Sequence, residues 1–404
     1  MHGGKKGASG DFGLVTAYVL TVGTVIGSGV FFKAPLILVA SGGNGTAGLL
    51  AWAIGAAVML FCALAFAEIV SEAGEGTGAS VWELSGYLMG RRFEGCAQTF
   101  FGRVYYPSLT AVLAWVSASY TADLLRAEVP DLGVFLLAAA LLLLSFLADR
   151  FASRLADRFR TAATGVKLLP RLVLGAVGIA RGVGDGTLRE NLSPVAGFSF
   201  LSALPAAAFA YEGWIAPASL GRSLKNPKRT LPLALFWGTI TVAVVYILYY
   251  LGLIGSMPAD ALIENGTSGA FRALLGSSSG GWLLAAVSLS CLGTLSGLSM
   301  ASARSGGTRG GCIAALAWLV WYYLAEVHPA DPLGRLSFDN SELPVITLYA
   351  LYIPLFFAHM KKTKRRVLPM LGILSAVGMI AAAVVSHKAE VVPYLVLSGI
   401  LLVF

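Results

Sequence analysis

Two long apolar stretches of this chain are interrupted by glycine where a continuous membrane helix would carry side chains. They are Gly23-Thr24-Val25-Ile26-Gly27-Ser28-Gly29 near the start and Phe209-Ala210-Tyr211-Glu212-Gly213-Trp214 about half-way along. Each stretch is long enough to cross a bilayer, which takes ~20 apolar residues. Lipid offers no hydrogen bonds, so unwound backbone at that depth survives only where it lines a cavity or meets a ligand. Paired breaks at corresponding points of two halves mark a secondary transporter, whose site lies between half-helix ends near the midplane.

Composition agrees on the solvent. Charged residues make up 12% of the chain and hydrophobic ones 57%, with a mean hydropathy of +0.77. Soluble proteins carry about 25% charged residues, so this chain belongs in a membrane. Apolar runs place spans near 12–39, 47–72, 97–125, 132–149, 161–182, 197–221, 232–254, 281–303, 311–326, 343–360 and 367–387. A twelfth starts near Val391; the chain supplies only about 14 residues from there to Phe404, fewer than the ~17 a crossing needs, so this helix is read as cut short or partly inserted. The first span is too long for a cleavable signal and runs into a glycine break, so it is expected to stay.

Basic residues set the orientation. Lys5, Lys6, Arg91, Arg92, Arg150, Arg154, Arg158, Arg160, Arg222, Lys225, Lys228, Arg229, Arg304, Arg309 and the cluster Lys361 to Arg366 fall in alternate loops. Those loops are expected to be cytoplasmic, with the N-terminus on the same side. The opposite loops hold mainly acids, among them Asp131, Asp185, Glu190, Asp260, Glu264, Asp331 and Asp339. The net charge of +8 is thus a topology signal, whereas nucleic-acid binding would need one concentrated basic face. Cys62, Cys96, Cys291 and Cys312 lie in or at the ends of spans and suggest neither a disulfide nor a metal frame. His2, His328, His359 and His387 read as lying at ends or in loops and form no ligand pair, which leaves an intramembrane enzyme without its groups.

The breaks carry specific chemistry. A broken helix frees N–H groups at the start of its second half and C=O groups at the end of its first. One end attracts anions and the other cations. Around Gly27-Ser28-Gly29 the N–H groups and the Ser28 hydroxyl can hold a carboxylate; carbonyls near Val25 and across Phe209, Ala210 and Glu212 can hold an ammonium. An α-amino acid satisfies both ends at once. The competing reading is that these glycines only let helices pack closely.

Gly23 to Phe32, the segment Phe209 to Trp214 followed by Lys225-Asn226-Pro227-Lys228-Arg229-Thr230-Leu231-Pro232, and Ser341-Glu342-Leu343-Pro344 resemble the amino acid–polyamine–organocation superfamily. Within it they are most similar to the L-type amino acid transporter branch and its bacterial alanine-serine-cysteine and serine/threonine exchangers. The resemblance covers nearly the whole chain. It implies one all-α membrane domain of leucine-transporter-like fold, about twelve helices with the first and sixth broken. The repeats would be 12–182 and 197–360, with extra helices over 367–404. It further implies sodium-independent exchange of neutral amino acids across the cell membrane by alternating access, with no cofactor. The backbone of Gly27, Ser28 and Gly29 would take the carboxylate, and carbonyls at Val25, Phe209 and Glu212 the amine. Ile26, Ala210, Tyr211 and Gly213 complete the two breaks, and Phe209 would close over the substrate from outside.

Lys167, in Thr164-Gly165-Val166-Lys167-Leu168-Leu169-Pro170, is a lysine at membrane depth and is expected to face the bundle with partners. The resemblance implies that its ammonium stands where a sodium ion would, against the Gly23 and Ile26 carbonyls and the Thr294 hydroxyl. Snorkelling to the interface is the alternative. Lys167 and Glu212 also leave proton-coupled uptake open, and a transport-inactive sensor would keep the breaks intact.

Tyr106, Leu109 and Leu113 form one face of the third span and read as pocket wall, with Trp214, Ser288 and Cys291 as further pocket or gate positions. No charge in this reading complements a charged substrate side chain, which favours neutral substrates. Two departures from the family stand out. The link Ser305-Gly306-Gly307-Thr308-Arg309-Gly310-Gly311 is short, and the outer loop Arg126-Ala127-Glu128-Val129-Pro130 lacks the cysteine that bonds a glycoprotein partner in animal members. A subunit without a disulfide-linked heavy chain is expected.

Overall fold

The computed structural model describes residues 13–73, 80–125, 129–152, 159, 167–192, 200–215, 224–327, 342–386 and 391–403. Lys5, Lys6, Arg126 to Glu128, Arg154, Arg158, Arg160, Thr164 to Val166, Arg222, His328, Asp331, Asp339, Ser341 and His387 lie outside them.

Among the described residues every element is a helix. In chain order these are α1 Leu14–Val25, α2 Gly29–Ala40, α3 Gly45–Glu72, α4 Val81–Met89, α5 Arg91–Phe100, α6 Tyr106–Leu125, α7 Asp131–Phe151, α8 Leu168–Asp185 and α9 Thr187–Asn191. There follow α10 Phe200–Ala210, α11 Pro227–Ile254, α12 Ala259–Gly306, α13 Thr308–Val327, α14 Glu342–Thr363, α15 Val367–Ser386 and α16 Val391–Val403. A π-helical stretch, Phe101–Tyr105, joins α5 to α6 inside the third apolar run.

Six described helices are long and apolar enough to cross a membrane, and α1 with α2, bent by 53° at the first break, makes a seventh. The chain is a multi-pass membrane protein. Its helices sort their faces accordingly: on α7, Ala138, Leu142 and Phe146 are buried at helical spacing, while Leu136, Leu143, Leu144 and Leu147 are exposed. An apolar residue turned outward is stable there because the surrounding solvent is hydrocarbon.

With little hydrophobic drive between helices in lipid, close approach has to come from small residues. The contact of α8 with α11 is built that way: a side chain on Gly178 would overlap the Gly252 carbonyl, and one on Gly252 the Leu174 carbonyl. Two helix starts carry side-chain caps. The Asn44 carboxamide accepts from Thr46 and Ala47 at the start of α3, and Ser80 with Glu83 forms a capping box on α4.

The connection after α11 is helical, and α12 bends at Gly266 and Gly276 before its spanning part Gly281–Gly306. Phe271 is buried and the Thr267 hydroxyl donates to the Phe31 carbonyl, which fastens this segment to the first turn of α2. The result is an all-α membrane fold with a broken first helix, as the leucine-transporter-like expectation requires.

Candidate substrate site at the two helix breaks

At the first break α1 stops at Val25. Ile26 still donates its N–H to Val22, but its backbone has left the helix, and the Gly27 N–H turns back to the Val25 carbonyl at 2.6 Å. Ser28 is the N-cap of α2, yet its side chain caps nothing, and its buried hydroxyl has no hydrogen-bond partner. The first N–H groups of α2 carry the partial positive charge of a helix start.

At the second break α10 ends at Ala210, and the Glu212 N–H tightens onto the Phe209 carbonyl at 3.1 Å. Gly213 follows with φ of 120°, a region L side chains rarely adopt. A Cβ there would sit 2.8 Å from the Thr24 carbonyl oxygen, so this turn rests directly on the end of α1. A Cβ on Gly29 would lie 3.5 Å from both the Ala210 Cα and the Phe209 ring. The two breaks therefore face each other, with Phe209 laid over the start of α2.

One end of this junction is closed. Phe32 packs edge-on to Phe209 at 5.4 Å between centroids. The Lys33 ammonium lies 4.8 Å from the Phe209 ring centre and 2.7 Å from the Glu342 carboxylate at the start of α14. Lys33 is fully buried.

Behind the first break stand α8, α11 and α12. The Tyr246 hydroxyl donates to the Val25 carbonyl at 2.8 Å. The Arg171 guanidinium donates to the Gly27 carbonyl and to that of Lys167, one turn back on its own helix, and stacks 4.1 Å from the Phe31 ring centre. Lys167 is buried at the N-terminal edge of α8 beside Arg171 and Cys291. Among the described residues its ammonium has no hydrogen bond to Gly23, Ile26 or Thr294. Thr294 bonds Ser290 within its own helix, with its methyl 3.9 Å from where a Gly27 side chain would begin. Thus Arg171, and not Lys167, is the fifth-span cation that touches the break.

On the α6 side, Leu109 and Leu113 are buried and Tyr106 partly so. Ser288 shares a 3.0 Å hydrogen bond with Thr121 of α6, which ties α12 to α6, while Cys291 is buried next to Ser28. Trp214 is buried between Phe66 and Tyr352, both 5.7 Å away. Tyr211 stacks with Trp52 and Tyr246 in an aromatic block behind the second break. One carboxylate oxygen of Glu212 is buried without a hydrogen-bond partner, and Cys62, Tyr105, Tyr106 and Tyr352 lie within its electrostatic reach.

A separate polar cluster joins the end of α3 to the end of α14. Arg365 bridges Glu68 at 2.9 Å and Glu72 at 3.0 Å, and His359 lies 3.7 Å from Glu68. His359, expected at the end of the span 343–360, is a buried residue in the last turns of α14, on the face that also buries Tyr352 and Phe356.

The sequence reading passed over Arg171, Tyr246, Lys33 and Thr121. Two of these had a signal: Lys33 and Arg171 are ionised groups inside apolar runs, and intramembrane charge is functional by default. Tyr246 and Thr121 had none, since one hydroxyl on an apolar helix looks like any other.

A sequence profile of the amino acid permease family matches residues 12–306. The serine/threonine exchanger SteT of Bacillus subtilis is 30% identical over 306 residues, covering 74% of this chain and 67% of that protein. Asc-type amino acid transporter 1 of Mus musculus is 28% identical, covering 73% of this chain and 57% of its own length. Large neutral amino acids transporter small subunit 2 of Homo sapiens is 30% identical over 75% of this chain and 58% of its own length. The matched part includes both breaks, Lys167, Arg171 and the spanning part of α12, and on that basis the chain belongs to the amino acid permease family.

Proposed function

We propose that this protein exchanges amino acids across the cell membrane by alternating access, without sodium. The observation that carries the reading is the apposition of the breaks: the start of α2 and the end of α10 meet at Gly29 and Ala210, with the Gly213 turn against Thr24. N–H groups at one helix start and carbonyls at the facing helix end suit a carboxylate and an ammonium on one carbon. The Ser28 and Gly29 N–H groups hold the first, with Gly27, whose own N–H is shared with the Val25 carbonyl, giving the close approach; Ile26, Phe209, Ala210 and Glu212 supply acceptors for the second. The Val25 carbonyl, engaged by Tyr246, serves more to fix the break than to grip substrate. Sodium independence is supported by the Arg171 guanidinium on the Gly27 carbonyl, where a metal ion would otherwise be held, with Lys167 next to it as a second buried cation. The relatives named as a serine/threonine exchanger, an Asc-type amino acid transporter and a large neutral amino acids transporter support amino acid transport.

In this scheme the N-terminus is cytoplasmic, residues 12–182 and 197–360 form inverted repeats, and Phe209 with the Lys33–Glu342 pair closes the outer route. The subunit works without a disulfide-linked partner. Proteoliposomes test it: labelled amino acid should enter only when unlabelled amino acid is trapped inside, and replacing sodium by choline should leave the rate unchanged. Binding without flux would replace the reading by a sensor.

A second reading, proton-coupled uptake, is favoured by the buried, unpartnered Glu212 oxygen. Uptake driven by a pH gradient into empty vesicles, and lost in Glu212→Gln, would establish it in place of exchange.

A further inference from the structure

Among the described residues, Arg171 and Lys167 form a pair of buried cations with no counter-charge. Arg171 is 1% exposed. Among the described residues neither it nor Lys167 has a carboxylate within ion-pair distance. The groups around Arg171 are two backbone carbonyls, the Phe31 face, and the phenols and thiol of Tyr246, Tyr249 and Cys291. Carbonyls and a ring solvate a guanidinium but do not neutralise it, and an uncompensated charge at this depth is costly.

The same place holds unused donors. Arg171 Nε is buried with no acceptor, and the buried Ser28 and Tyr249 hydroxyls make no well-formed hydrogen bond, their nearest polar neighbours being Cys291 and Thr267. These groups are neighbours: Arg171 stacks on Phe31, whose ring meets Tyr249 edge-on at 5.7 Å, and Cys291 lies within reach of Ser28, Tyr249 and Arg171 alike. Each hydroxyl can also accept, yet a cation is disfavoured, because Arg171 already takes the Gly27 carbonyl and repels it. A buried guanidinium with an open donor and two such hydroxyls is the chemistry of an anion site.

We propose that Arg171, with Ser28 and Tyr249, forms an anion site behind the first break that takes one carboxylate or one small inorganic anion. Lys167 adds to its positive field. Two sources supply that chemistry. One is the side-chain carboxylate of an acidic amino acid, whose α-carboxylate sits on the α2 N–H groups; in that form the inference rests on the substrate-site reading above, and it replaces the neutral class expected from sequence. The other is a free halide, which needs no such reading.

The test uses the full chain purified in detergent in halide-free methanesulfonate buffer, with the thermal midpoint as readout. Sodium chloride, L-aspartate and L-alanine are titrated separately. A rise with chloride assigns the inorganic source; a rise with L-aspartate well above that with L-alanine assigns the substrate carboxylate. In either case Arg171→Gln should weaken half-saturation by about tenfold, the loss of one charge-assisted contact, while Arg171→Lys retains most of it. No shift with chloride and no excess of L-aspartate over L-alanine, or equal shifts in wild type and Arg171→Gln, would overturn the proposal. The two readings fail separately: L-alanine exchange in a protein that shows no chloride shift and no excess of L-aspartate over L-alanine removes the anion site and leaves the exchanger, whereas wild type that moves no amino acid but keeps an Arg171-dependent chloride shift does the reverse.

Discussion

Lys33 and Glu342 are joined by a 2.7 Å ion pair whose side chains are 0% and 6% exposed. The same ammonium faces the Phe209 ring, so the start of α14, the first turns of α2 and the aromatic over the second break are held as one unit. Removing one partner of a buried pair deprives the other charge of its closest counter-ion and costs up to ~3–5 kcal/mol, whereas replacing both by apolar groups is often neutral. Lys33→Met should therefore lower the thermal midpoint in detergent more than the double variant Lys33→Met/Glu342→Leu does. Equal losses would mean the pair contributes nothing beyond packing.

The two break glycines that face a neighbour should differ sharply on substitution. Gly213 needs its φ of 120° and leaves no room before the Thr24 carbonyl, whereas a Cβ on Gly29 would meet Ala210 and Phe209 at ordinary contact distance. Gly213→Ala is expected to destabilise the fold by ~1–3 kcal/mol through backbone strain. Gly29→Ala should fold and purify like wild type but bind amino acid more weakly, since it crowds the N–H groups offered to the carboxylate. Thermal midpoint and radioligand binding, measured on both variants, separate the effects.

The breaks were legible because backbone distortion inside a membrane has few causes, and glycine within an apolar run advertises it. Helix positions were legible for the related reason that each span must carry its own apolar length. What lay beyond the sequence was the pairing of charge across the fold. Lys33 and Glu342 are far apart in the chain, and only the closed packing of α2, α10 and α14 brings them together. Lys167 stands out in the sequence as a lysine at membrane depth, while Arg171, one turn along, is the residue that reaches the Gly27 carbonyl. Side-chain reach decided between them, and periodicity does not report reach.

Tyr246 offers a finer probe of the first break. Its hydroxyl holds the Val25 carbonyl from α11, and the Gly27 N–H is the other donor to that oxygen. Tyr246→Phe keeps the ring contacts with Trp52 and Tyr211 and deletes only the hydroxyl. A loss of ~0.5–1.5 kcal/mol in stability is expected. Hydrogen exchange confined to residues around Val25 to Gly29 should rise with it. Faster exchange throughout α11 would instead mark a general loosening of that helix.

Arg365 stands at the far end of α14 and is 62% exposed, yet it bridges Glu68, which is only 10% exposed, and Glu72. An exposed guanidinium gives little stability, ~0–1 kcal/mol, so Arg365→Ala should barely move the thermal midpoint. Its effect lies elsewhere. Glu68, Glu72 and His359 bring three ligand atoms within 4.8 Å of one another, a carboxylate and imidazole set that suits zinc. With the guanidinium in place the negative charge is already met. Without it the triad faces open water, and a divalent ion is the strongest available replacement. Arg365→Ala should consequently bind one zinc ion per chain by calorimetry, at least about tenfold more tightly than wild type, and lose it on adding His359→Ala. Identical zinc binding by wild type and Arg365→Ala would show that the arginine does not guard these carboxylates.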